Sequence, residues 1–166
     1  MQTAYIKTPL GIAKIVGDED GVSVISVSDE GDSRAKLKQS KEISDSIPTV
    51  LQEPVSQLND YFEGKRTDFT FKLNPFGTEF QQKVWKGLLE IPFGKTMSYL
   101  ELSKKLGDVK AIRAVASANG KNPLWIVVPC HRVIGTDGSL TGYAGRLWRK
   151  KWLLEHENPT KQGSLF

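Results

Sequence analysis

Apolar residues in the first part of the chain fall in short runs that are separated by turn sequences. Between positions 3 and 27, apolar residues alternate with polar ones or cluster in twos and threes. Pro9-Leu10-Gly11 and Asp18-Glu19-Asp20-Gly21 interrupt these runs. Short alternating runs bounded by such residues are typical of strands joined by tight turns. The pattern predicts a three-stranded antiparallel meander.

A helical period follows the meander. Positions 28–46 are polar and lysine-rich and predict a loop. Helical spacing over 50–63 then predicts a helix, because one face collects Leu51, Val55, Leu58 and Phe62. A short strand is predicted over 69–73, and Asn74-Pro75-Phe76-Gly77 marks a boundary.

The second half of the chain predicts helices with clear start signals. Thr78 and Gln81 have the spacing of a capping box, and the helix they open carries Phe80, Val84 and Leu88 on one stripe. Ser98 is a good N-cap for a short helix that runs to about Leu106.

Gly107-Asp108 breaks that short helix before another helix predicted over 109–119. Two short helices joined by a tight turn predict a helix-turn-helix. A last helix is predicted over 146–157, where the apolar residues are Leu147, Trp148, Trp152 and Leu154.

These elements predict a mixed α/β fold of two lobes. The N-terminal lobe, residues 1–75, combines a small three-stranded antiparallel sheet with a helix. The C-terminal lobe, residues 76–158, is mainly helical and contains the helix-turn-helix, and residues 159–166 form a polar tail.

Composition narrows the class of protein only slightly. The net charge of +4 favours a polyanionic partner without requiring one. One cysteine and two histidines cannot form an internal disulfide or a cysteine-rich zinc site, so we expect no metal. No run of 18 apolar residues occurs, so we expect no membrane span and a cytoplasmic protein.

The segment 122–133 carries the most specific chemistry. A short apolar run that predicts a strand is interrupted by Pro129, and Cys130 and His131 follow at once. A free cysteine is most often a small buried apolar residue. For Cys130 and His131 to cooperate, the strand must end at Pro129, because neighbours in a strand point to opposite faces.

Cys130 would then lie at a turn or a helix start, where main-chain amides stabilise a thiolate. His131 could reach the sulfur through a water molecule. A carboxylate would have to orient the imidazole, and both Glu155 and Glu157 are candidates.

Pro129-Cys130-His131-Arg132-Val133 resembles the active-site motif of the O6-alkylguanine-DNA alkyltransferases. The resemblance covers about residues 76–157, and the N-terminal lobe matches the family only in its general pattern. The further motifs stand in family order: Ser98-Tyr99, Arg113-Ala114-Val115, Gly120-Lys121-Asn122-Pro123, Gly142-Tyr143, and Trp152-Leu153-Leu154 with His156-Glu157.

The resemblance implies a single-use transfer of an alkyl group from guanine to Cys130, without a cofactor. By the resemblance, Cys130 is the nucleophile, His131 the water-bridged base and Glu157 its carboxylate partner. Asn122 would hold the turn at the cysteine. Tyr99 would contact guanine N3 and the phosphate beside a flipped nucleotide.

The resemblance also implies a monomer that binds double-stranded DNA in the minor groove with little dependence on sequence, and a ribonuclease-H-like N-terminal lobe. Arg113 would fill the gap in the base stack. The remaining residues expected at the DNA or the guanine pocket are Ala114, Ser117, Lys121, Val133, Tyr143 and Ala144. Candidate phosphate neighbours are Lys104, Lys105, Lys110, Lys121, Arg146 and Arg149.

Three other functions fit parts of the sequence. A lesion-binding protein without transfer activity would need no cysteine at position 130. A cysteine hydrolase would use a Cys-His-Asn set, to which adjacent Cys130 and His131 are poorly suited. A helix-turn-helix transcription regulator would need a dimerisation or effector domain, and none is evident.

Overall fold

The computed structural model describes residues 1–28, 43–140, 143 and 146–159. Its contacts fall into two compact units, Met1–Phe76 and Gly77–Phe166. Over the described residues the first unit holds a three-stranded antiparallel sheet, and four of the five α-helices lie in the second. The predicted fold class is confirmed. No helix in the described ranges has the length and apolar character needed to cross a membrane.

The sheet of the first unit is the predicted meander. Strands β1 (Gln2–Thr8), β2 (Gly11–Asp18) and β3 (Gly21–Ser28) lie in the order β1-β2-β3, and each neighbouring pair is antiparallel. The register aligns three fully buried side chains across the sheet, those of Ala4, Ile15 and Ile25. This row forms the centre of the sheet's buried face because side chains of one face recur at every second residue.

A single α-helix completes the first unit. Helix α1 (Gln52–Phe62) follows a 3-10 turn at Thr49–Leu51, and the turn and helix together lie within one residue of the predicted bounds. Leu51, Val55 and Leu58 are buried as expected, but the buried aromatic residue at the end of the helix is Tyr61, not Phe62. Of the predicted loop at 28–46, positions 29–42 lie outside the described residues.

The strand predicted over 69–73 is wrong. Only Leu73 forms a bridge, an isolated parallel one to Val22. Thr70 explains the difference, because its amide donates to Gln57 Oε1 (2.9 Å) and its hydroxyl accepts from Gln57 Nε2 (2.8 Å). These bonds tie the segment to a helix side chain and replace a sheet ladder.

Capping boxes start the first two helices of the second unit. Helix α2 (Glu79–Leu88) begins at Thr78, whose side chain accepts from the Gln81 amide while Gln81 caps the Thr78 amide. Ser98 and Glu101 make the same pair of bonds at helix α3 (Tyr99–Lys105). Both start signals are confirmed. On α2, however, Phe80 is 38% exposed, and Trp85 is the buried aromatic residue.

The helix-turn-helix is also confirmed. Gly107 follows α3 with φ of +95°, a conformation that suits glycine. A 3-10 turn at Val109–Ala111 then leads into helix α4 (Ile112–Gly120). Two short parallel strands, β4 (Met97–Ser98) and β5 (Val133–Ile134), connect the start of α3 to a distant part of the chain.

The last helix, α5 (Leu147–Glu157), presents an unexpected face to the interior. Leu147 and Trp148 are about half exposed. The buried residues include three that carry formal charge, Arg149, Lys150 and Glu157. Periodicity of apolar residues could not predict this face, because its charged groups are buried with partners supplied by other segments.

Candidate active site

The segment before Cys130 is a tight turn and not the strand that the apolar run predicts. The amide of Val127 donates to the Trp125 carbonyl (2.8 Å), and the amide of Val128 donates to the Leu124 carbonyl (3.0 Å). Ile126 has φ of +75°, which is rare for a β-branched residue. The turn therefore needs support from outside its own backbone.

Asn122 supplies that support. Its Nδ2 donates to the Val128 carbonyl (2.8 Å), and its Oδ1 accepts from the Leu124 amide (2.9 Å). The side chain is buried, so both bonds are shielded from water. Asn122 thus spans the turn that delivers Pro129 and Cys130 into the site.

Cys130 begins a 3-10 helix, Cys130–Arg132, directly after Pro129, as expected. Stabilisation of the thiolate by the main chain does not dominate here. The residue is 4% exposed, and burial raises the pKa of the thiol to about 11. Hydrogen bonds from Asn122 and Tyr143 and the charge of Lys150 act in the opposite direction but are outweighed. Desolvation penalises the thiolate more than these groups stabilise it.

His131 and Glu157 form a buried pair. His131 Nε2 lies 2.8 Å from Glu157 Oε2, whereas Glu155, the other candidate, only approaches Lys151 (3.9 Å). An ionised carboxylate can only accept, so Nε2 carries the proton and Nδ1 carries the lone pair. Burial lowers the pKa of His131 despite Glu157, and the imidazole is neutral at pH 7. Among the described residues, Nδ1 has no hydrogen-bond partner.

Arg132 is part of the site, although the sequence analysis assigned it no role. Its Nε donates to Glu157 Oε1 (2.8 Å), its Nη2 donates to Oε2 (3.0 Å), and its Nη1 donates to the Ile91 carbonyl (2.7 Å). Burial alone would raise the pKa of Glu157, but His131 and Arg132 hold it well below its usual range. The position of Arg132 inside the motif was the available signal.

Lys150 was also missed. The side chain is fully buried, and its Nζ donates to the Val133 carbonyl (2.6 Å). Burial lowers its own pKa to about 8, while its charge favours the Cys130 thiolate. Lys150 lies seven residues before Glu157, and this spacing places both on one face of α5.

The predicted guanine-pocket residues lie close to Cys130 where the structure describes them. Val133 is buried in β5, directly after the 3-10 helix. Tyr143 acts on the Cys130 thiol and favours a lower thiol pKa, and its ring centroid lies 6.0 Å from that of Trp125. Loss of solvent around the hydroxyl raises the pKa of Tyr143 well above its usual value. Ala144 lies outside the described residues.

The outer face of α4 is small and basic. The four residues predicted to contact DNA are all exposed, and their spacing places them on one side of the helix: Arg113, Ala114, Ser117 and Lys121. Tyr99 is the first residue of α3 and is partly buried. Arg149, in contrast, is buried and lies over the Trp148 ring, so it does not belong to this face.

In the described ranges, no three His, Cys, Asp or Glu side chains cluster in a way that could hold a metal ion. The second unit combines a helix-turn-helix with a buried cysteine and an adjacent His-Glu pair. These features define a DNA-binding protein with a candidate cysteine nucleophile.

Comparison with known proteins gives the family. The model of the 6-O-methylguanine DNA methyltransferase DNA-binding domain matches residues 79–159, and that of the ribonuclease-like domain of the same proteins matches residues 1–75. The chain belongs to the 6-O-methylguanine DNA methyltransferase family. The resemblance stated from the sequence motifs is confirmed.

Individual relatives agree with the family models. A methylated-DNA–protein-cysteine methyltransferase of Methanosarcina acetivorans is 43% identical over 95% of this chain and 98% of its own. The methylated-DNA–protein-cysteine methyltransferase of Mycobacterium bovis is 54% identical, and the match covers 66% of this chain and 67% of that protein. The crystal structure of Mycobacterium tuberculosis OGT in complex with DNA is similar with a TM-score of 0.81 and 40% identity, covering 95% of this chain and 93% of that one.

Proposed function

We propose that this protein repairs O6-alkylguanine in duplex DNA by moving the alkyl group onto Cys130 in one irreversible turnover. The observation that carries the proposal is the site itself: a buried thiol followed by a neutral histidine whose Nε2 is bound to Glu157. The names of the relatives support the substrate.

The reaction balances without any further reagent. The S–H bond of Cys130 breaks, and its proton passes through a bridging water molecule to His131 Nδ1. A sulfur lone pair forms the S–C bond as the C–O6 bond breaks, and the electron pair leaves with guanine. The guanine then takes up one proton from water while His131 releases to water the proton it received, so the products are a thioether, the repaired base and a neutral His131. No cofactor or metal takes part.

The raised pKa of Cys130 indicates when the proton leaves. With a pKa of about 11, only about one thiol in 10⁴ is ionised at pH 7. The resting thiol is therefore mainly protonated, and His131 takes its proton in the course of the reaction. A thiolate of high basicity is also intrinsically the stronger nucleophile. The acceleration comes mainly from aiming sulfur at the alkyl carbon and from stabilising the departing guanine, for which Tyr99 is the proposed donor at N3.

The outer face of α4 is the proposed DNA contact. Its small side chains, Ala114 and Ser117, let the helix backbone approach the minor groove closely, and Lys121 lies near phosphate. Arg113 fills the gap in the base stack after the damaged base has rotated out. Contacts of this kind do not read sequence, which suits lesions that arise anywhere. Val133 and Tyr143 line the pocket that receives the base.

We further propose that residues 76–158 bind DNA and transfer the alkyl group, while residues 1–75 form a supporting lobe and residues 159–166 a tail. The protein acts as a monomer. A reactive free thiol is best preserved in a reducing compartment, which favours the cytoplasm.

Intact-mass analysis tests the proposal. After mixing with duplex DNA that contains one O6-methylguanine, the protein should gain the mass of one methyl group, and peptide mapping should place it on Cys130. Cys130→Ala should bind the same duplex without gaining mass. Several turnovers per protein molecule, or a methyl group on any other residue, would contradict the proposal.

A further inference from the structure

Asn119 links the DNA-binding helix to Tyr99. It lies in the last turn of α4 and is 3% exposed. Its Nδ2 donates to the Tyr99 hydroxyl oxygen across 3.4 Å, from one helix of the helix-turn-helix to the first residue of the other. The sequence motifs assign Asn119 no role.

The other end of the same amide is unusual. Asn119 Oδ1 is buried and has no hydrogen-bond partner in the described part of the chain. Buried acceptors without a donor are rare in folded proteins because they lose their water without replacement. An apolar residue of similar size would avoid this cost if the position served packing alone. The hydrogen bond that Nδ2 donates to Tyr99 therefore explains the amide at this position better than packing does.

The backbone around Asn119 is firmly held. Trp85 on α2 donates its indole Nε1–H to the Ala118 carbonyl (2.9 Å). The Asn122 amide donates back to the Asn119 carbonyl (3.4 Å). The backbone of Asn119 is thus held in place, so its side chain can orient the Tyr99 phenol. Asn119 also lies three residues before Asn122, whose side chain holds the Cys130 turn.

A hydrogen bond donated to a phenol oxygen has a definite electronic effect. It stabilises negative charge on that oxygen and so makes the phenol O–H a stronger donor. It also restricts rotation of the hydroxyl. If Tyr99 donates to the departing guanine, both effects matter most in the transition state, when charge develops on the base.

We infer that Asn119 is a positioning residue that orients and polarises the Tyr99 hydroxyl for its hydrogen bond to the guanine leaving group. The inference rests on the proposed function, because it assigns a partner to the group that stabilises the leaving base. Asn119 does not contact the alkyl group or the sulfur in this scheme. It acts through Tyr99 alone.

A double-mutant cycle tests the inference. The rate of methyl transfer from an O6-methylguanine duplex is measured under single-turnover conditions at several DNA concentrations, which separates duplex affinity from the transfer rate constant. Asn119→Leu in the parent chain should lower the transfer rate constant about tenfold, with little change in affinity. In the Tyr99→Phe background, the same substitution should change it less than about twofold, because the bond it removes is already gone.

Val115→Ala is the matched control for disturbed packing. Val115 is buried on the same helix. Its truncation should lower the rate by the same factor in both backgrounds. If Asn119→Leu does not fold, Asn119→Ser removes the same donor with a smaller side chain.

Equal losses from the Asn119 substitution in both backgrounds, or no loss in either, would overturn the inference. The parent chain separates this outcome from failure of the proposed function. If the parent gains no methyl group from the duplex, the proposed function itself is wrong. If the parent is active and the cycle is additive, only the role of Asn119 is wrong.

Discussion

Replacing Glu157 by glutamine removes the carboxylate that both His131 and Arg132 contact. Glutamine keeps the size of the side chain but not its charge. The Arg132 guanidinium, which is buried and makes two of its hydrogen bonds to this carboxylate, would then hold an unbalanced positive charge. Removal of one partner from a buried ion pair costs about 3 to 5 kcal/mol.

That cost is a large part of the stability of an ordinary domain, which is about 5 to 15 kcal/mol. For a chain of this size, each kcal/mol lowers the Tm by about 2 to 4 °C, so Glu157→Gln should lower it by about 6 to 20 °C. Thermal unfolding followed by circular dichroism, with urea titration at 25 °C, gives both quantities. Methyl transfer should also slow, because the imidazole of His131 loses its orienting acceptor.

Glu155→Gln is the matched control. It removes one carboxylate from the same helix, but this side chain is 25% exposed and its ion pair to Lys151 is long at 3.9 Å. A surface pair of this kind contributes about 0 to 1 kcal/mol. If Glu157→Gln unfolds within 1 kcal/mol of this control, the buried carboxylate does not balance Arg132 as argued.

Acidification should produce a related effect with a definite sign. The pKa of Glu157 is lower in the folded protein than in the unfolded chain, so its contribution to stability is fully present above the unfolded value of about 4.3 and is lost as pH falls toward the folded value. Glu157→Gln should therefore flatten the loss of stability below about pH 5, and an equally steep loss in this variant would contradict the assignment.

Three more predictions concern Cys130 and its supports. Alkylation of Cys130 by iodoacetamide should accelerate about tenfold per pH unit from pH 7 to pH 10, because the thiol has a pKa of about 11, and a plateau below pH 9 would contradict that value. Asn122→Ala removes three buried hydrogen bonds, so it should lower the free energy of unfolding by about 1 to 3 kcal/mol in urea titration and slow methyl transfer in mass analysis. An unchanged transfer rate would mean that the turn does not need this side chain. Lys150→Met keeps much of the aliphatic volume but removes the charge that Lys150 carries below its pKa of about 8, so alkylation of Cys130 at pH 7 should slow. An unchanged rate at pH 7 would show that Lys150 does not act on the thiol.

Local signals in the sequence predicted much of the fold. The turns at Pro9-Leu10-Gly11 and at Asp18 to Gly21 act on neighbouring residues, and the capping residues Thr78 and Ser98 bond to amides only three positions away. Such interactions are contained in a short window of sequence. For this reason the meander and the helix starts could be predicted well.

The predictions that failed depend on interactions that a local pattern of apolar residues does not show. The run before Pro129 reads as a strand, but the side chain of Asn122 takes up two backbone groups and turns the chain instead. On α5, the buried charge of Lys150 is satisfied by a carbonyl 17 residues away. No window of periodicity contains these partners. The charged face of α5 therefore could not be read from apolar spacing.

The site shows the same division. The adjacency of Cys130 and His131 is visible in the sequence, and it led to both residues. The choice between Glu155 and Glu157 depends on which acid reaches His131 from 26 positions away, and only the three-dimensional fold answers that. The raised pKa of the Cys130 thiol could not be predicted from the sequence either, because burial depends on how the whole unit packs.

The ladder of β4 and β5 joins the start of the helix-turn-helix to the segment that follows the cysteine. It consists of two residue pairs, Met97 with Val133 and Ser98 with Ile134. One pair adjoins Tyr99 and the other adjoins the 3-10 helix that contains Cys130. A slip of one residue would move one segment past the other by about 3.3 Å and reverse the faces of their side chains. An error of about 1 Å in the placement of reacting groups can cost about 100-fold in rate. We therefore expect the register of this small ladder to set the distance between Tyr99 and Cys130.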